Sequence, residues 1–135
     1  MTEPACKDCK AQGIPRWRPT PHPGPRCATH AAAFRATQKA ASHERRVQKV
    51  YGLAEGDYAR LYEAQGGVCG GCGPESGRSG KTKRLAVDHN HETGEVRGLL
   101  CSDCNRLIGR LHDNPAALQR LAAYLIDPPA RKVLG

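Results

Sequence analysis

Apolar positions are sparse along this chain and fall into short runs whose spacing changes from segment to segment. Over residues 31–50, Ala31, Ala32, Ala33, Ala36, Ala40 and Ala41 favour helix, and Arg35, Lys39, Arg45, Arg46 and Lys49 make it basic. Only Phe34, Val47 and Val50 supply an apolar stripe, so the spacing predicts a solvent-exposed connector interrupted by Gly52. Residues 55–65 put Tyr58, Leu61 and Tyr62 on one helical face, with Gly66-Gly67 as the stop. Leu85-Ala86-Val87 and Val96-Arg97-Gly98-Leu99-Leu100 read as paired strands around the Thr93-Gly94 turn. A helix capped by Ser102 or Asp103 then runs to about Leu111, with Leu107, Ile108 and Leu111 facing inward. Asn114-Pro115 opens a final helix with Leu118, Leu121, Ala122 and Leu125 as its expected buried stripe. Pro128-Pro129 stops that helix, and the RKVLG tail is expected to fray.

Composition explains why these elements need help. Leu, Ile, Val and Phe number 21 of 135 residues, a share at which a charged chain struggles to stabilise a core. The seven cysteines supply an alternative. Six form Cys-x-x-Cys pairs at Cys6/Cys9, Cys69/Cys72 and Cys101/Cys104, and Cys27 is followed three residues later by His30. Seven thiols cannot all pair within one chain, whereas seven thiols and one imidazole complete two tetrahedral zinc sites. The expected sets are Cys6, Cys9, Cys27 and His30, and Cys69, Cys72, Cys101 and Cys104. Neither an apolar leader nor a run of membrane-spanning length is visible, which favours a reducing, cytoplasmic setting over a disulfide framework or a membrane.

Residues 1–30 therefore read as an N-terminal zinc module, with Pro15, Pro19, Pro21, Pro23 and Pro25 opposing regular structure between its ligands. Trp17, between Arg16 and Arg18, either stacks on a base or covers the module's apolar face. Residues 31–51 form the basic connector, 52–127 the main body and 128–135 a flexible tail. Of the net charge of +8, residues 1–51 carry ten Lys/Arg against three Asp/Glu, and the remainder eleven against ten. A basic arm on a nearly neutral body suits a polyanion such as DNA, although a basic surface also serves solubility.

The chemistry concentrates in Asp88-His89-Asn90-His91 and Cys104-Asn105. Asp88 at the end of the first strand and Asn105 at a helix start are hard oxygen donors that a zinc clamp would bring together around Mg²⁺. His89 is then free to act as a general base, since imidazoles ordinarily titrate near neutrality. His91 shares the face of His89 if the strand persists, and can contact phosphate, hold the attacking water or add a ligand. Plainer roles exist for each: extra zinc ligands for the two histidines, a helix-start hydrogen bond for Asn105, a structural hydrogen bond for His91. Arg97 either reaches phosphate or points outward, and His22, His43 and His112 read as surface residues.

The run Glu63 to Gly109, EAQGGVCGGC through LAVDHNHETGEVRGLLCSDCNRLIG, resembles the phage recombination endonuclease VII family of ββα-metal, or HNH/His-Me finger, nucleases. The resemblance implies a small α+β zinc-stabilised ββα-metal fold, with an N-terminal zinc-binding module and flanking helices around it. It implies a metal-dependent DNA endonuclease leaving 5′-phosphate and 3′-hydroxyl ends, in the host cytoplasm if phage-encoded. Asp88 and Asn105 match the ligands of one catalytic Mg²⁺ or Mn²⁺, His89 the general base and His91 the second histidine. Cys69, Cys72, Cys101 and Cys104 match the structural zinc ligands. Arg45, Arg46, Lys81, Lys83, Arg84 and Arg97 are the expected nucleic-acid contacts. A homodimer and phage replication, recombination or packaging proteins are the implied partners. The larger enzyme's long C-terminal dimerisation region has no counterpart here, so cleavage or nicking carries over more directly than junction resolution. A noncatalytic zinc-finger DNA-binding or adaptor protein is the alternative.

Overall fold

The structure is a computed structural model that describes residues 5–14, 18–20, 24–74 and 84–134. Trp17, Lys81 and Lys83 lie outside the described residues, as do Pro15, Pro21, His22 and Pro23. Two compact units divide the chain, Met1–Lys49 and Val50–Gly135.

In the first unit, helix α1 (Lys7–Ala11) begins just after Cys6, and an isolated bridge pairs Ala5 with Pro19. Its core consists of the buried Cys6, Cys9 and Cys27 with Ile14 packed against them. Arg26 ties the periphery together: Nε donates to Asp8 Oδ2 at 2.7 Å, and the guanidinium lies 3.9 Å above the Phe34 ring. Helix α2 (Ala28–Tyr51) is longer than the predicted 31–50 at both ends, and its last two residues belong to the second unit. Val47 is buried, while Phe34 and Val50 are exposed, as the weak stripe implied.

The second unit is built on a hairpin of β1 (Ala86–His89) and β2 (Val96–Leu100), preceded by α3 (Asp57–Ala64) and followed by α4 (Ser102–Arg110). The strands pair antiparallel, Ala86 with Leu100, Val87 with Leu99 and Asp88 with Gly98. The register then slips, because His89 pairs with Val96 and leaves Arg97 as the extra residue of a bulge. Asn90 shapes the turn, its Oδ1 accepting from Glu92 N (2.8 Å) and Thr93 N (3.1 Å). Gly94, at φ 76°, completes it by donating to Asn90 O at 2.8 Å. Among the described residues the buried aliphatic side chains here are Leu85, Val87, Leu99 and Leu100. At about 1.5–3 kcal/mol each they contribute no more than one structural zinc, about 10–16 kcal/mol.

Tyr58 joins α3 to the hairpin, its hydroxyl donating to Leu85 O at 2.8 Å, and Gly66 and Gly67 at positive φ end the helix. The start of α4 differs from expectation. Neither Ser102 nor Asp103 caps it; the N-cap is Cys101, whose Sγ accepts from Cys104 N at 3.4 Å. Helix α5 (Pro115–Ile126) does begin as predicted, with Asn114 Oδ1 accepting from Ala116 N and Ala117 N. Its predicted buried stripe is not buried. Leu121 and Leu125 are 46% and 76% exposed, and Leu118 is only half-buried. On α4, Ile108 and Leu111 are half-buried but Leu107 is exposed. The two-stranded sheet is too small to cover both helices. Beyond Pro128-Pro129, where fraying was expected, a one-turn helix α6 (Ala130–Val133) forms.

Candidate functional site

Both expected cysteine sets converge. In the first, the donor atoms of Cys6, Cys9, Cys27 and His30 lie within 4.8 Å of one another. His30 Nδ1 is 3.2 Å from Cys6 Sγ and 3.4 Å from Cys9 and Cys27 Sγ, and the last two sulfurs are 4.0 Å apart. A tetrahedral zinc sets such atoms about 3.5–3.8 Å apart, so the set fits the ion. The far ring nitrogen, His30 Nε2, meets Gln12 Oε1 at 3.1 Å; the amide oxygen can only accept, so it leaves Nδ1 free to ligate. Burial alone would raise the Cys6 thiol, but the amides of Cys27 and Cys9 and the His30 ring bring it down to about 6.

The second set, Cys69, Cys72, Cys101 and Cys104, meets the same distance limit, with Cys72 and Cys101 Sγ 3.6 Å apart. Cys69 sits buried at its centre, accepting from Gly71 N at 3.3 Å and Cys101 N at 3.2 Å. These amides outweigh burial and lower its thiol to about 6. Burial, reinforced by Cys72, raises Cys104 instead, an imbalance that bound zinc would remove by holding all four as thiolates. Gly71 eases this approach, since a Cβ there would stand 3.0 Å from Cys104 Sγ and push it by a few tenths of an ångström. These two clusters are thus potential zinc-binding sites.

The hairpin carries the remaining chemistry. Asp88 is buried, and Arg97, the bulge residue, grips it with both arms of its guanidinium: Nε to Oδ2 at 2.7 Å and Nη2 to Oδ1 at 2.9 Å. Nη2 also reaches His89 O at 3.2 Å and Asp113 Oδ1 at 3.3 Å. The bonds Arg97 donates to Asp88, opposed by burial and reinforced by Asp113, raise the pKa of Arg97 above its ordinary value. His89 follows directly, and its ring neighbours those of Tyr51 and His91, centroids 5.3 and 4.8 Å away. Strand β1 ends at His89, so His91 belongs to the turn and approaches by the curl of the chain. His91 Nδ1 is 3.1 Å from Asp113 Oδ2. His91, then Arg97, hold the Asp113 carboxyl below the usual carboxylate range against the effect of burial.

Asn105 is the fourth residue of α4, half-buried, and among the described residues its side chain makes no hydrogen bond to Asp88. Asp88 brings a buried carboxylate and Asn105 a half-buried amide, and both oxygens of the carboxylate are held by the Arg97 guanidinium. Arg97 thus points inward to two carboxylates. Arg45 and Arg46 on α2 and Arg84 before β1 are exposed.

Sequence reasoning missed three residues. Tyr51 reads as the end of a basic helix and Asp113 as part of a turn, and neither has a spacing rule linking it to the hairpin. Gln65 follows α3 and clamps β2, with Oε1 accepting from Leu99 N and Nε2 donating to Leu99 O. Its position beside Gly66-Gly67 was the available signal, though it points equally to an ordinary helix end.

The family described as recombination endonuclease VII matches residues 44–127. The Gene 59 protein of Mycobacterium phage D29 is 48% identical over 131 residues, 96% of this chain and 78% of the relative. The Gene 59 protein of Mycobacterium phage L5 is 47% identical over the same shares. No solved structure shows significant similarity. The family match and the two clusters support a nuclease-like role. The chain belongs to the recombination endonuclease VII family.

Proposed function

We propose that this protein is a metal-dependent DNA endonuclease that hydrolyses phosphodiester bonds to 5′-phosphate and 3′-hydroxyl ends. The observation that carries the reading is the divergence of two consecutive side chains at the bulge. Asp88 is buried against a cation, while His89 is half-buried against the rings of Tyr51 and His91, and among the described residues no carboxylate bonds its imidazole.

In this reading Asp88 and Asn105 would hold one Mg²⁺ or Mn²⁺. Such an ion, when bound, would stabilise negative charge on the phosphate and the departing oxygen. His89 takes a proton from the attacking water at an imidazole nitrogen as the new P–O bond forms. The bond from phosphorus to the 3′ oxygen breaks, and that oxygen leaves with the bonding electron pair and takes a proton from solvent water to become the 3′-hydroxyl. Tyr51 limits where the His89 ring can turn. Two zinc ions would hold Cys6, Cys9, Cys27 and His30, and Cys69, Cys72, Cys101 and Cys104, with no part in the chemistry. Arg45, Arg46 and Arg84, with Lys81 and Lys83, would contact the DNA backbone, making binding salt-dependent. The domain plan follows: a zinc module over 1–30, a connector over 31–51, an HNH-type nuclease domain over 52–127 and a tail over 128–135.

The test is zinc-loaded protein with supercoiled, flap and four-way DNA, with and without Mg²⁺. Metal-dependent nicking that falls at least a hundredfold in His89→Ala supports the reading. Salt-dependent binding without strand cleavage, unchanged by His89→Ala, would replace it with a noncatalytic zinc-finger DNA-binding protein.

A further inference from the structure

Asp113 lies outside the hairpin and outside the motif that carries the resemblance. It sits in the turn between α4 and α5, where His112 and Asp113 both take positive φ, 52° and 54°. Two successive non-glycine residues in this region persist only where the surroundings enforce them. Here the backbone does so: His112 N donates to Gly109 O and Asp113 N to Ile108 O, each at 3.1 Å, and Asn114 N to Leu111 O. The turn thereby delivers a carboxylate, 18% exposed, to the hairpin.

That carboxylate has two unequal oxygens. Oδ2 meets His91 Nδ1 at 3.1 Å. Oδ1 is buried and accepts no hydrogen bond among the described residues, although Arg97 Nη2 is within ion-pair distance at 3.3 Å. A carboxylate offers no proton, so the hydrogen in the contact with His91 must sit on Nδ1. In the neutral ring Nε2 is then a bare acceptor. His91 is largely exposed and, with Asn90, Arg97, His112 and Asp113, lines a cleft of about 510 Å³.

We propose that Asp113 is the positioning residue that locks His91 in its Nδ1–H tautomer, so that Nε2 serves the cleft as an acceptor. The proposal rests on the nuclease reading only for its effect on turnover. It narrows the work of His91: whenever the ring is neutral, Nε2 held this way accepts a hydrogen from the attacking water or gives its lone pair to a cation, and it is not a donor to phosphate in that form.

The test uses full-length zinc-loaded protein labelled with ¹⁵N-histidine. Long-range ¹H–¹⁵N spectra are expected to show His91 as Nδ1–H. In Asp113→Gly, a residue at ease with positive φ, His91 should relax toward the Nε2–H form that free imidazoles favour. Asp113→Asn keeps an acceptor oxygen and should retain most of the native tautomer. In nicking assays Asp113→Gly should lower kcat about 10–100-fold with little change in KM, and Asp113→Asn should recover most of it. A wild-type His91 in the Nε2–H form, or an unchanged tautomer in Asp113→Gly, would overturn the proposal. If wild-type protein leaves DNA intact, the nuclease reading fails, and the spectra still decide the role of Asp113.

Discussion

The side chain of Gln65 pairs with the backbone of Leu99 as a neighbouring strand would, accepting from its N–H at 2.7 Å and donating to its carbonyl at 2.9 Å. A third bond, from Nε2 to Val68 O at 3.0 Å, ties the same amide to the segment before Cys69. The helix end, the approach to the second cluster and β2 thus meet at one residue.

Gln65→Ala should therefore cost about 2–3 kcal/mol, because it leaves the buried Leu99 N–H without its partner. Gly98→Ala should also destabilise, since its Cβ would stand 2.9 Å from Gln65 Oε1 at a φ of 153°. Urea denaturation of the single and double variants checks both. The double variant should be less destabilised than the sum, because removing Gln65 removes the clash.

Metal removal should unfold the protein cooperatively in either unit. Chelation with verified loss of zinc should abolish the thermal transition, given how little aliphatic surface is buried. Cobalt substitution should report four-thiolate and three-thiolate–imidazole spectra in equal amounts. A melt that survives complete metal loss would refute the assignment of structural weight to these clusters.

Within the first cluster, Gln12→Ala should weaken zinc affinity about 10–100-fold by freeing the His30 ring. Competition with a chromogenic chelator measures it, and the second cluster should be unaffected.

On the proposed reading, a divalent ion would have to compete with Arg97 for Asp88. Asp88 raises the pKa of Arg97 further above its already high ordinary value, which keeps the guanidinium charged throughout the folded range. Its contribution is present at every pH below the ordinary arginine value and lost only as the pH rises past the raised one, so lowering the pH does not discharge Arg97. Arg97→Met should destabilise by about 2–3 kcal/mol, below the full cost of stranding a buried charge because Arg97 is 33% exposed. Millimolar Mg²⁺ should raise the melting temperature of Arg97→Met more than that of wild type. Equal shifts would argue against Asp88 as a ligand.

The parts legible in the sequence were those set by local rules. Cys-x-x-Cys spacing brought both clusters together, Asn114-Pro115 capped α5, and the turn signal at Gly94 closed the hairpin. The parts that were not legible depend on what packs against what. The i, i+3, i+4 pattern of Leu118, Leu121 and Leu125 announces an apolar face but not whether anything covers it, and the small hairpin does not. Asp113 and Tyr51 reach the hairpin across long chain separations, which no periodicity encodes. Cys101 displaced Ser102 and Asp103 as the cap because its sulfur was already held at the cluster, where the Cys104 amide could reach it.

That last arrangement makes order in α4 and occupancy of the second cluster a single equilibrium. One sulfur would serve an ion and receive one of the free amides in the first turn of the helix. As metal departs, the sulfur is no longer held in place for the amide it accepts from. Hydrogen exchange at the Cys104 and Asn105 amides should therefore accelerate together with metal loss, so that the turn carrying Asn105 keeps time with an ion that would take no part in the chemistry.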